Sequence, residues 1–233
     1  MKDENGKIKV RIRPAMLSDA TGIFQVKEQI RLPAAVDGEP HGGFLLGTSR
    51  EQYEYFIKHD DVLVAECIAG HQIVGFTIVL KHASVLNSTL WLRAQEVRWD
   101  NHFFAQFLEG QSFDQNVLPH TRIAYYEQLG FLDDDAVRVY AKYLAFASVH
   151  RAFETHDHIF VTTVKYPIVN RAPLSFLRIA GFECVGTHDE VYPEYGRIIS
   201  DVYHLERSVF HEKIRAGRFQ KFIAQVRERG YLI

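Results

Sequence analysis

Asn170 to Phe182 reads NRAPLSFLRIAGF. An asparagine able to cap, a proline tolerated at an early helical position and a glycine permissive of unusual backbone at the far end predict a short helix here. Phe182 follows directly and leads into an apolar run. Such brackets occur in many α/β proteins and by themselves serve folding alone. The elements on either side decide what this one belongs to.

Downstream, FECVGTHDEV and RIISDVYHLER flank YPEYG, which predicts a β-hairpin. The tail over 208–233 reads as an amphipathic helix, with Phe210, Ile214, Phe219, Phe222 and Val226 available for packing. Upstream, HIFVTTVKYP predicts a strand. Before it, Asp135 can cap a long helix through Tyr140, Leu144 and Val149 to about Glu154. RIAYYEQLGF, ending at Phe131, is strand-like.

The first third opens with Lys7 to Arg13, where Ile8, Val10 and Ile12 alternate with charged residues at the period of a half-buried strand. Ser18 can cap a helix running to about Arg31, and Ser49 with Gln52 forms a capping box for a helix reaching His59. DVLVAECIA and QIVGFTIVLK, separated by Gly70 and His71, predict a hairpin of strands buried on both faces. The segment 82–120 carries Trp91, Val97, Trp99, Phe103, Phe104 and Phe107 and reads as a largely helical insertion. Its rings can pack on the sheet, roof an acceptor pocket, or form the interface of a homodimer.

Composition sets limits around this layout. With 233 residues, 47% hydrophobic and 24% charged, the chain can bury a full core and fits a single domain over 1–233. A net charge of −2 gives no sign of a nucleic-acid partner. MKDENGKIKVRIR has no apolar signal core, and no apolar run approaches the roughly 18 residues of a membrane span. A cytoplasmic protein without membrane association is expected. Cys67 and Cys184 have no metal or redox spacing and read as buried small hydrophobes. ETHDH, from Glu154 to His158, falls at a helix-to-strand turn, where polar residues are ordinary, so no metal site is assigned; His41 with Gly42 and Gly43 reads as an exposed turn.

The order β-α-α-β-β-(insertion)-β-α-β-α-β-β resembles the GNAT acyltransferase superfamily. Residues 170–182 are similar to its closing signature N-x-x-A-x-x-x-Y-x-x-x-G-F, with Asn170, Gly181 and Phe182 at the expected separations. The resemblance runs from about Lys7 to Arg207. It implies an α/β fold with a mixed, mainly antiparallel central sheet flanked by helices, the insertion lying between the third and fourth strands. It also implies transfer of an acetyl or longer acyl group from acetyl-CoA to an amine, carried on a small molecule or a peptide.

In that superfamily the strand matching 122–131 offers backbone groups to the pantetheine arm, which brings in Leu129, Gly130 and Phe131. The next loop and helix N-terminus cradle the pyrophosphate through Q/R-x-x-G-x-G/A, where small residues let free amides approach phosphate oxygens. Counted without gaps, that motif falls on Ala136, Val137, Arg138, Val139, Tyr140 and Ala141, so Arg138, Val139 and Ala141 are the expected donor contacts with Asn170. A register starting at Arg138 keeps the basic residue and puts Ala141 and Tyr143 at the glycine positions. Asp133, Asp134 and Asp135 precede this helix, and like charges about 6 Å apart repel an anionic ligand by about 1 to 3 kcal/mol.

Amine attack on a thioester needs a base for the amine proton and a donor for the departing thiolate. Glu127 is the expected base, sharing a strand face with Tyr125 by the two-residue period. The superfamily's tyrosine acid would stand at Leu177, so Tyr125, Tyr140 or Tyr166 would have to replace it. Two alternatives stay open. One is a non-catalytic or regulatory module of the same fold; the other is an acyltransferase that takes its acyl chain from acyl carrier protein.

Overall fold

A computed structural model describes residues 9–30, 47–103, 122–192 and 196–228, apart from the side chains of 89, 90, 95, 192, 217–219 and 227. Lys7, Ile8, His41, Phe104 and Phe107 lie outside the described residues.

In chain order the elements are β1 Val10–Pro14, α1 Ala20–Ile30, α2 Arg50–His59, β2 Asp61–Cys67, β3 Gln72–Leu80, α3 His82–Val85, α4 Thr89–Leu92, β4 Arg98–Trp99 and α5 Asn101–Phe103. Then follow β5 Ile123–Phe131, α6 Asp135–Arg138, α7 Ala141–Thr155, β6 His158–Tyr166, α8 Leu174–Ala180, β7 Glu183–Tyr192, β8 Gly196–Glu206, α9 Arg207–Arg215 and α10 Gly217–Glu228. The strands form one eight-stranded sheet in the order β1-β2-β3-β5-β6-β8-β7-β4. Only β5 and β6 pair in parallel; the other neighbours are antiparallel. This is the mixed, mainly antiparallel sheet expected.

Two apolar cores cover the two faces, because the pleat sends alternate residues of each strand to opposite sides. Along β2, Leu63, Ala65 and Cys67 join α7, α8 and the C-terminal helices, while Val62 and Val64 join Ile23 and Val26 of α1 and Tyr53 and Phe56 of α2. Every residue of β2 is buried, as the unbroken apolar run predicts. At the outer edge, Arg11 and Arg13 of β1 bond Glu66 of β2. Burial alone would raise the Glu66 carboxyl, but bonds from Arg11, Arg13 and His71 hold it at about 2.

Several local expectations are corrected. Ser18 lies inside a 3₁₀ turn, Leu17–Asp19, and it is the Asp19 carboxylate that accepts from the Met16 N–H at 2.7 Å before α1 begins. Asp134, not Asp135, caps α6, accepting from the Ala136 N–H at 2.8 Å. The long helix expected from Asp135 is two, α6 and α7, separated by Val139 and Tyr140. Asn170 does not cap α8, whose cap position is Pro173; its backbone N–H donates instead to the Val164 carbonyl. The tail is also two helices, because Ala216 adopts an extended backbone at ψ 135°. Cys184 is exposed, while Cys67 is buried. The described part of the insertion, 82–103, is mostly short helices, but Arg98 and Trp99 form an edge strand on Thr187 and Gly186. A Cβ at Gly186 would meet the Arg98 carbonyl at 3.0 Å, so glycine admits this close approach.

The Ser49 cap, the two hairpins and the Gly181 helix end stand as predicted. Ser49 Oγ accepts from the Gln52 N–H at 3.3 Å, and Gly181 takes φ 99° while its N–H donates to Leu177.

Glycines also set the centre of the sheet. Gly75 of β3 faces Phe131 of β5, and Phe76 faces Gly130, so each aromatic ring covers the glycine opposite it. A Cβ at Gly130 would stand 2.5 Å from the fully buried Phe76 ring and 3.0 Å from Ile30. Gly130→Ala should therefore destabilise the fold by about 1–3 kcal/mol, read as a lower urea midpoint. An unchanged midpoint would mean that Phe76 has room to move.

Candidate active site

The parallel pairing of β5 with β6 runs from Ile123↔His158 to Tyr126↔Val161 and stops there. β5 continues to Phe131 and β6 to Tyr166, but β5 then pairs only with β3 and β6 only with β8. The sheet thus opens between its two central strands, leaving one edge of each without a ladder partner. Leu129 of β5 and Tyr166 of β6 are exposed along this opening.

A β-bulge sits where the strands part. Ile78 of β3 pairs with Gln128 and Val79 with Tyr126, so Glu127 is the extra residue of β5. Bulges re-aim side chains, and here the two-residue period is interrupted. Gln128 lies on Tyr125's side of the sheet, and Glu127 acts electrostatically on Tyr53 of that same side. Tyr125 packs in the α1–α2 core, and Gln128 accepts from the buried Tyr53 hydroxyl at 3.1 Å and donates to Thr48 at 2.9 Å.

Glu127 is half-buried and makes no hydrogen bond or ion pair among the described residues. Burial pushes its carboxyl up to about 7, and the negative charges of Asp60 and Glu190 add to the rise. Asp60 closes α2 and accepts from the Lys81 N–H at 2.8 Å; Glu190 of β7 lies 3.1 Å from His188 Nδ1. The carboxyl therefore faces the side of α2 and β7, with a proton affinity suited to exchange near neutrality. Sequence reasoning missed Asp60, Glu190 and the Gln128–Tyr53 bond. Nothing local marks them, since each reaches the site from a different element.

Tyr125 shares a 2.7 Å hydroxyl contact with Thr162 of β6, so it bridges the strands just where they part. Tyr166 is exposed and Leu177 is buried under α8. Gly130 lies beneath Phe76 and Phe131 lies over Gly75, which leaves mainly their backbone and the Leu129 side chain to a ligand in the opening.

At the α6–α7 corner, Arg138 is bound on both sides, 2.8 Å from Asp133 and 2.7 Å from Asp135. Val139 is exposed and Ala141 begins α7, whose cap residue Tyr140 makes no side-chain bond to the first turn. The first amides of α7 thus carry the positive end of a 15-residue helix without a side-chain cap. The Asn170 side-chain oxygen is buried without a hydrogen-bond partner among the described residues.

The ETHDH histidines are held by ordinary polar contacts: His156 accepts from the His82 N–H, and His158 faces His204 at 2.9 Å. Among the described residues, no group of three or more His, Cys, Asp or Glu side chains is placed to hold a metal ion, and no helix is long and apolar enough to cross a membrane.

No protein-family model and no curated protein matches the chain. Solved structures do. Arabidopsis thaliana NAA60 in complex with a bisubstrate analogue superposes with a TM-score of 0.56 at 15% identity, over 85% of this chain and 98% of that one. The ribosomal-protein-S18-alanine N-acetyltransferase of Escherichia coli gives 0.53 at 9% identity, over 85% and 94%. An N-acetyltransferase from Staphylococcus aureus Mu50 gives 0.51 at 13%, over 85% and 99%. With its opened central strands, bulged β5 and helices on both faces, this chain has the fold of the GNAT N-acetyltransferases.

Proposed function

We propose that this protein is an acyl-CoA-dependent N-acyltransferase that moves an acetyl group from acetyl-CoA to an amine by direct attack. The observation that carries the reading is Glu127: a half-buried carboxyl, unpaired among the described residues, with its proton affinity raised to about 7, on the bulge where β5 leaves β6.

The opening suits a pantetheine arm, which needs backbone groups on one side and apolar contact on the other; Leu129 and the free edge of β5 supply both. Acetyl-CoA supplies the activated acyl carbon. Glu127 takes the proton of the acceptor ammonium, so that a neutral nitrogen forms the new C–N bond as the C–S bond breaks. Tyr125, held by Thr162, is the hydroxyl that protonates the departing thiolate. Peptide N–H groups on the open edge of β5 polarise the thioester carbonyl. The acceptor approaches from the side of α2 and β7, where Asp60 and Glu190 favour a cationic amine.

The phosphate corner fits less well, because Arg138 is already engaged by two aspartates. That observation favours a second reading, in which acyl carrier protein supplies the acyl group and no nucleotide phosphates need a cradle.

Calorimetry with acetyl-CoA, CoA, pantetheine and loaded carrier protein tests both. Acetyl-CoA is expected to bind weakly. The Asp133→Asn/Asp135→Asn double variant frees Arg138 and should tighten CoA about 5-fold without a gain for pantetheine, since an exposed ion pair is worth up to about 1 kcal/mol. Added salt should shrink the difference. Absence of heat with either CoA species, together with binding of the loaded carrier, would replace the first reading by the second.

A further inference from the structure

A groove of about 680 Å³ lies between α7, α8, α9 and α10, and none of its lining residues belongs to β5, β6 or the corner at 132–141. Its floor is aromatic: Phe146 of α7, Phe176 of α8, Phe210 of α9 and Phe222 of α10. These rings also hold the C-terminal helices in place, with Phe146 at 5.6 Å from Phe210 and 5.2 Å from Phe222 between centroids. Three cations stand around them, Lys142, Arg178 and Lys213. Arg178 and Lys213 form no ion pair among the described residues, and Lys142 is engaged only with the Tyr143 ring.

This combination is selective. A cavity in the roughly 300–1,000 Å³ range with an apolar body and a few placed polar groups is the usual form of a small-molecule site. Among the described lining residues there is no carboxylate, and Ser175 is their sole neutral polar side chain. An elongated apolar group with a negative head satisfies both halves at once. Neutral apolar molecules leave the cations unanswered, and small inorganic anions leave the phenylalanines unused.

We infer that this groove binds a single-chain amphiphilic anion of the fatty carboxylate class, at a site separate from the Glu127 opening. The chain lies against Phe146, Phe176, Phe210 and Phe222, and the carboxylate is met by Arg178 and Lys213. The inference does not depend on the acyltransfer reading, since it concerns residues outside that site. Because the ligand binds the folded arrangement of α9 and α10 on α7, it raises the melting temperature by mass action.

The test uses the full chain and dodecanoate below its micellar concentration, followed by calorimetry and by thermal melting. Saturable one-site binding is expected, weakened at least 10-fold when dodecanol replaces dodecanoate. The Arg178→Glu/Lys213→Glu double variant should lose dodecanoate affinity by at least 10-fold as well. The acid-against-alcohol comparison is made on the parent chain, so it holds whether or not the variant folds. Saturating CoA should leave dodecanoate binding unchanged. Failure to saturate, equal affinity for acid and alcohol, unchanged affinity in a folded double variant, or displacement by CoA would each overturn the proposal.

Discussion

Glu127→Gln lowers kcat/KM for acetyl transfer by about 100-fold or more while leaving donor affinity within about 2-fold, as loss of a general base requires. The pH profile makes the assignment specific. In the parent, activity falls as pH drops below about 7, because the carboxyl that must accept a proton already holds one. The glutamine variant should lose that limb. A structural consequence runs alongside with a defined sign. The folded carboxyl keeps its proton to about pH 7, whereas an unfolded glutamate ionises above about 4.5, so the parent loses stability as pH rises through that interval. Glutamine has no such cost, and Glu127→Gln should raise the melting temperature at pH 8 relative to the parent, with little change at pH 4. Equal rates in parent and variant would transfer the role to water or another group. A stability gain without a rate loss would make Glu127 a merely buried acid.

Much of this architecture was legible in the chain, and what was legible has a common cause. Buried strands such as 61–67 and 72–80 announce themselves because both faces need apolar residues, and Gly181 because its backbone at φ 99° excludes most side chains. The helix caps were less legible. Asp134 and Asp135 are chemically alike, and only the turn after Leu132 decides which oxygen reaches the Ala136 N–H. The break at Ala216 follows from packing, since two short helices place Phe210 and Phe222 on Phe146. At the candidate site, Glu127 was singled out from its strand, while the bulge that brings Gln128 to Tyr125's side depends on the register of β3 and has no local signal. Asp60 and Glu190 were invisible because their proximity to Glu127 exists only after the sheet has formed. Arg138 stood out as a phosphate ligand by its charge, and only the folded corner shows that two aspartates already hold it.

Acid should unfold this protein earlier than its carboxylates alone would dictate, because several histidines are built in as neutral groups. His82 Nδ1 accepts from the Ile123 N–H and His156 Nε2 accepts from the His82 N–H, so each uses a lone pair that a proton would remove. His158 and His204 meet nitrogen to nitrogen at 2.9 Å, an arrangement that needs one donor and one acceptor. Burial lowers the proton affinity of all four, and His204 falls to about 3, with His158 adding to the drop. The unfolded chain takes up these protons below about 6.5, so the stability present above that pH is lost as pH falls toward 3. While it stays neutral in the fold, His204 costs about 1.4 kcal/mol per pH unit below about 6.5, against a total of about 5–15 kcal/mol for a typical domain. Glu127 opposes this slope between about 4.5 and 7 but is a single group. Glu66, held at about 2, contributes its own loss only below about 4.5, so above that pH the histidines act without it. The urea midpoint of the parent should therefore drop steeply between pH 6.5 and 4.5. His204→Phe, which keeps a ring beside Phe103 and Phe160 but cannot titrate, should make the fall shallower from pH 6.5 to about 3 and leave the Glu66 loss below about 4.5 in place. A parent midpoint that holds level from pH 7 to 5 would mean that these histidines charge without leaving the fold, and the paired-neutral account of His158 and His204 would be lost with it.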